Sequence, residues 1–168
     1  MTVLAIDPGP SQSAYVIWSG QSVRFAAIVP NLDLISGHFT STADVCAIEM
    51  IASYGMAVGK EVFETCCWIG RFHQVWWDSH RAEDPLLILR RDVKLHHCHS
   101  ARATDANVRT ALIDKYGPQG TKKAQGPTYG LKSHLWSAFA IATFVSETNL
   151  GNVCGSRLAY DAVVSAVK

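Results

Sequence analysis

Three residues far apart in the chain, Asp7, Glu49 and His134, have the side-chain types and settings for divalent-cation chemistry. Asp7 closes the apolar run TVLAID and is followed at once by Pro8-Gly9-Pro10-Ser11, a turn that leaves the carboxylate at the open edge of a sheet. An aspartate in such a turn also caps its own backbone, so Asp7 alone does not separate a ligand from a turn residue. Glu49 sits among Ala47, Ile48, Met50 and Ile51 at the end of DVCAIEM. Burying its charge there is costly unless it is paired or bound to a cation. His134 stands in the first turn of a helix that is otherwise apolar, in KSHLWSAFAIA. Alone it reads as readily as a capping residue as it does as a ligand. Carboxylates from two strand ends can share one divalent metal, and a helix N-terminus aimed at the site could present the imidazole.

The run His96-His97-Cys98-His99 invites a zinc reading. Taken as a strand, consecutive side chains would point to opposite faces, so a closed tetrahedral site is not expected. Trp68, Trp76 and Trp77 read as core or interface aromatics rather than base-stacking platforms.

The elements that must position these residues follow from the apolar pattern. Residues 2–7 and 13–18 form a hairpin of two strands, 23–29 extends it, and 44–50 and 86–89 are further buried strands. From Lys60 to about His80, Val62, Cys66, Ile69, Val75 and Trp76 recur at helical spacing, with Phe63, Cys67 and Phe72 widening the stripe. Thr104 caps a helix over 106–116, Ser133 caps another over 135–145, and 158–167 could form a short terminal helix. The connection from Gly117 to Gly130 holds Lys122, Lys123 and four glycines, a length and composition that suit a functional loop. Three strands followed by alternating strands and helices predict an α/β domain with a mixed sheet. One domain over residues 1–168 is expected, with its core in 2–148 and a short C-terminal tail.

The composition, 48% hydrophobic and 17% charged, leaves apolar surface to spare for a partner subunit. No apolar run reaches the roughly 18 residues of a membrane span, and MTVLAIDPGP lacks the marks of a signal peptide. A cytoplasmic protein is expected. The five cysteines are odd in number and suggest no framework of bridges. The net charge of +1 conceals a division. Residues 1–89 hold four Lys/Arg against nine Asp/Glu, whereas 90–132 hold nine basic residues against three acids. An acidic metal site beside a phosphate-binding surface would divide charge in this way, and so would solvated faces that happen to segregate.

Together, the strand ending AIDPG, the strand ending AIEM and the helix opening SHLWSAFAIA resemble the RuvC-type Holliday-junction resolvases of the ribonuclease-H-like superfamily, in particular the short phage-encoded branch. IASYGMAVGKEVFETCCWIGRF and TDANVRTALIDKYGPQGTKK are similar to that branch as well, and the resemblance runs from about residue 2 to 148. It implies a ribonuclease-H-like fold with a mixed five-stranded sheet flanked by helices. It further implies an endonuclease of DNA recombination and repair that cuts four-way junctions and related branched DNA. Two Mg2+ ions per site, replaceable by Mn2+ and about 4 Å apart, would assist the attacking water and the departing 3′-oxygen.

The resemblance makes Asp7, Glu49 and His134 the catalytic metal ligands, His134 standing where many resolvases carry an aspartate. Ser137 occupies a position where the family pattern has a further acid, which removes a charge and implies weaker or more manganese-tolerant metal binding, since the His134 imidazole suits softer cations than magnesium. Asp105 is an auxiliary candidate, although its place suits helix initiation. Tyr54, Lys60, Arg102, Lys122, Lys123 and Lys132 are the expected DNA contacts. A junction with two equivalent cuts suits a twofold homodimer, for which the helix from Lys60 is the candidate interface. A DNA-structure-binding protein that kept the fold and lost the chemistry is the alternative. The first-strand turn alone also suggests an actin-like phosphotransferase, for whose two lobes the chain is too short.

Overall fold

The structure, a computed structural model, describes residues 1–37, 43–52, 55, 57–79 and 83–150. Alternating apolar residues fold into β1 (Val3–Asp7), β2 (Gln12–Trp18) and β3 (Val23–Pro30), an antiparallel meander in which Ile6 faces Tyr15 and Ala14 faces Ile28. After α1 (Asn31–Gly37), β4 (Val45–Met50) lies parallel to β1, and after α2 (Lys60–Ser79), β5 (Leu86–Leu89) lies parallel to β4. The sheet order is β3-β2-β1-β4-β5. Three further helices follow: α3 (Arg90–Cys98), α4 (Asp105–Tyr116) and α5 (Leu135–Thr148).

The period of two along each strand divides the interior into two cores. Val3, Ala5, Val45, Ala47, Leu86 and Ile88 face α5, backed by Val93 of α3 and by Val108 and Leu112 of α4. Leu4, Ile6, Cys46 and Ile48 face the other side, against Leu34 of α1 and against Ile69, Phe72 and Trp76 of α2. Helix α5 is almost wholly buried, with Ala138, Phe139, Ala140, Ile141, Ala142 and Val145 fully covered. That explains a helix apolar nearly all round.

Several expectations need correction. The buried stripe of α2 is Thr65, Ile69, Phe72 and Trp76, whereas Cys66 and Cys67 are exposed, Phe63 is 61% exposed and Trp77 40% exposed. The apolar face is therefore narrower than the sequence spacing predicts, and Trp77 is not a core residue. The four residues from His96 to His99 are not a strand: His96, His97 and Cys98 end α3, and His99 is its left-handed C-cap at φ 54°. Ser133 does not cap α5. It takes φ 46°, and His134 fills the cap position without a side-chain hydrogen bond to the helix. Tyr54, His80, Cys154 and the expected helix over 158–167 lie outside the described residues.

Candidate metal centre

Pleat and register bring the two carboxylates together. Ile6 pairs with Ile48 in the parallel ladder of β1 and β4, so the next residues, Asp7 and Glu49, stand side by side at the C-terminal ends of adjacent strands. Both continue the face of Val3, Ala5, Val45 and Ala47, the face that α5 covers. Beyond Asp7 the chain turns sharply, and a Cβ on Gly9 would lie 2.5 Å from the Gln12 carbonyl oxygen. Asn31 staples the turn from the start of α1: its side-chain amide donates to the Gly9 carbonyl at 2.9 Å, and its Oδ1 accepts from the Ser13 hydroxyl at 2.6 Å.

From the opposite side, His134 Nδ1 lies 3.0 Å from Asp7 Oδ2. The imidazole is well exposed, while the Asp7 side chain is only 14% exposed. Ser137, one turn along α5, lies close enough to favour the ionised form of the Asp7 carboxylate. Burial pushes the Asp7 carboxyl above its ordinary range, against the opposing pull of His134, Arg90 and Ser137. Glu49 is raised to about 7, first by burial and then by repulsion from Asp7, with Arg90 drawing it down. Its Oε2 is buried and has no hydrogen-bond partner. Two shielded carboxylates side by side, Asp7 raising the proton affinity of Glu49, form a site that a divalent cation fits.

Arg90, read from the sequence only as part of the basic segment, belongs to this site. Ile88 pairs with Glu49 in the β4–β5 ladder, and Arg90, two residues on, opens α3 beside it. Its Nε lies 3.9 Å from Glu49 Oε1, and its guanidinium donates to Asp105 Oδ1 at 2.7 Å. Lys94 approaches the same Asp105 oxygen at 3.7 Å. Asp105 therefore joins the edge of the site, with its carboxyl held below the usual range chiefly by the Arg90 hydrogen bond. It also opens α4 after Thr104, which caps the helix as the sequence suggests and forms a reciprocal capping pair with Asn107.

Two clefts meet at His134. One, of about 390 Å³, is lined by Arg90, Asp105, Arg109, Trp136 and Ser137. The other, of about 440 Å³, runs along Asp7, the Pro8–Gln12 turn, Ile51, Glu61 and Thr65. Lys60, Arg102, Lys122, Lys123 and Lys132 are all exposed, and Lys60 pairs with Glu64 at 3.2 Å. Lys122 and Lys123 crown a small turn closed by reciprocal backbone bonds between Thr121 and Ala124, so the glycine-rich connection is an organised loop.

Among the described residues, the ligand-type side chains with donor atoms all within 4.8 Å of one another are His96, His97 and Glu147, away from this edge. Asp7, Glu49 and His134 thus form a more open set. The His96 cluster is already satisfied. Glu147 accepts from Lys115 at 2.6 Å and from the Tyr116 hydroxyl, and pairs with His96 at 2.8 Å, while His97 bonds the Ala140 carbonyl at 3.0 Å. It is a polar knot joining α3, α4 and α5.

A five-stranded mixed sheet in this order, with helices on both faces, is a ribonuclease-H-like fold. Among solved structures, the chain is similar to RuvC of Thermus thermophilus, with a TM-score of 0.64 at 16% identity over 89% of this chain and 97% of that one. It is similar also to T. thermophilus RuvC in complex with a Holliday-junction substrate, with a TM-score of 0.65 at 14% identity over 89% and 94%. Comparison with protein-family models and with curated proteins finds no match. The likeness carries the RuvC fold and lends no support to a phage-encoded branch. Among the described residues, no helix is long and apolar enough to cross a membrane.

Proposed function

We propose that this protein is a metal-dependent endonuclease that cuts four-way junctions and related branched DNA. The observation that carries the reading is the pair of shielded carboxylates, Asp7 and Glu49, side by side at the ends of β1 and β4 with His134 3.0 Å from Asp7. Asp7, Glu49 and His134 would hold Mg2+ or Mn2+. When bound, such an ion supplies Lewis-acid activation of water and stabilisation of charge at a phosphodiester. The protein's own residues do the rest. Ser137 and His134 orient the Asp7 carboxylate, Arg90 steadies Glu49, and the clefts on either side of His134 give a strand a path across the carboxylates.

DNA approaches through its phosphates, for which Lys60, Arg102, Lys122, Lys123 and Lys132 are the proposed contacts, with shape rather than sequence as the main signal. The twofold symmetry of a junction suits a homodimer, and exposed Phe63 and Trp77 make α2 the proposed contact. Asp7→Asn keeps the shape of the side chain and removes its charge. It is expected to lower cleavage of a labelled four-way junction by about 10³-fold or more, with junction binding in Ca2+ unchanged. Ser137, uncharged within the site, favours a second reading, a DNA-structure-binding protein without chemistry. Prolonged incubation with Mn2+ separates the two, because nicking that Glu49→Gln abolishes excludes the inert protein.

A further inference from the structure

We propose that Arg90 replaces one of the two cations implied by RuvC-type chemistry, so that this site takes a single divalent ion at Asp7, Glu49 and His134 beside a built-in guanidinium. The inference rests on the nuclease reading and departs from it in the number of ions.

The donor set is the first argument. Two cations held close together need a shared carboxylate and separate anionic ligands on either side. Among the described residues, this edge offers Asp7 and Glu49. Ser137, which lines the cleft beside His134, is uncharged. Asp105, the remaining acid nearby, has Oδ1 committed to Arg90 at 2.7 Å and approached by Lys94 at 3.7 Å. Such a set neutralises one divalent ion and falls short for two.

Position is the second argument. Arg90 Nε lies 3.9 Å from Glu49 Oε1, so a further cation on that oxygen would stand against a positive charge that cannot deprotonate. The guanidinium is fixed there by Asp105 on its far side, and its buried Nη1 has no hydrogen-bond partner. A half-buried arginine with a donor to spare, braced between two carboxylates, is a fixed charge belonging to the site. Its local origin is the pleat: Ile88 pairs with Glu49, and Arg90 follows two residues later.

The test counts ions on the intact protein. Mn2+ is titrated into the wild-type chain, free and bound to a four-way junction, and bound ion is followed by electron paramagnetic resonance against the junction alone. One Mn2+ per chain is expected, lost in Asp7→Asn, with junction cleavage of first order in Mn2+ below saturation. Arg90→Lys should keep one ion. The double variant Arg90→Gln/Ser137→Asp, with its fold checked by circular dichroism, should take two. Two ions on the wild-type chain, or second-order dependence on Mn2+, overturns the proposal and leaves the nuclease reading standing. No bound ion at all overturns both. A folded double variant that still takes one ion removes Arg90 as the reason.

Discussion

At the scale of single residues, the site is governed by charge that burial leaves uncompensated. Glu49 is the clearest case, because its proton affinity is raised to about 7 by burial first and by Asp7 next. A carboxyl that binds its proton more tightly folded than unfolded stabilises the metal-free fold most at low pH. That contribution fades as pH rises from the ordinary glutamate range to about 7. The metal-free protein is therefore expected to lose on the order of 3 kcal/mol from this group between pH 4.5 and pH 8. Glu49→Gln should flatten that slope in chemical denaturation series run with chelator. Added Mg2+ or Mn2+ should raise Tm more at pH 8 than at pH 6, because the ion competes with the proton for the same oxygens. An equal gain at both values would show that Glu49 is not a ligand. His134 and Ser137 act on Asp7 in the opposite sense, by favouring its ionised form.

At the scale of elements, the strands and most helices are legible in the sequence because burial imposes a period. Asp7 and Glu49 stand out because each ends an apolar run, and the parallel ladder of β1 and β4 then makes them neighbours. Helix α3 hides for the opposite reason: its only buried residue is Val93, so no stripe marks it. Arg90 hides with it, since a basic residue among basic residues reads as a phosphate contact until the β5 register puts it against Glu49. Asn31 is invisible in the same way, because its hold on the Gly9 turn spans 22 residues of chain. Besides Val93 in the core, a polar knot fastens α3 to α4 and α5: Glu147 of α5 gathers His96, Lys115 and Tyr116. Burial pushes the Glu147 carboxyl up, and the hydrogen bonds from Lys115, Tyr116 and His96 outweigh it, bringing it down to about 2. Glu147→Gln is expected to destabilise the fold by about 1–3 kcal/mol, read as a lower denaturation midpoint at pH 7. The difference from wild type should shrink as pH falls from about 4.5 towards 2, where the carboxylate takes up its proton. A chelator should leave the wild-type midpoint unmoved through this knot, because the positive charge beside Glu147 is already Lys115.

At the scale of the whole molecule, the chain separates its charges along the sequence, and the fold sets the two populations in different surroundings. The acidic first half supplies Asp7 and Glu49, which are shielded at one sheet edge. The basic segment divides: Arg90 and Lys94 turn inward to Glu49 and Asp105, while Arg102, Lys122, Lys123 and Lys132 stay exposed. That division makes a quantitative prediction for DNA. Exposed lysines that meet phosphates act by releasing counterions, so each removed contact lowers the slope of log affinity against log salt by about 0.9 on duplex arms. Lys122→Ala/Lys123→Ala alters the crown of an exposed turn and leaves its backbone bonds in place. The pair should reduce the salt slope for a four-way junction by about 2, measured in Ca2+ from 50 to 200 mM salt. The loss should be the same for junctions of different sequence, because phosphates carry no base information. Cleavage at saturating DNA should stay near the wild-type rate, since neither lysine lines the two clefts that meet at His134. A variant with an unchanged slope would remove the loop from the DNA surface, and one that changed sequence preference would mean that these side chains read bases.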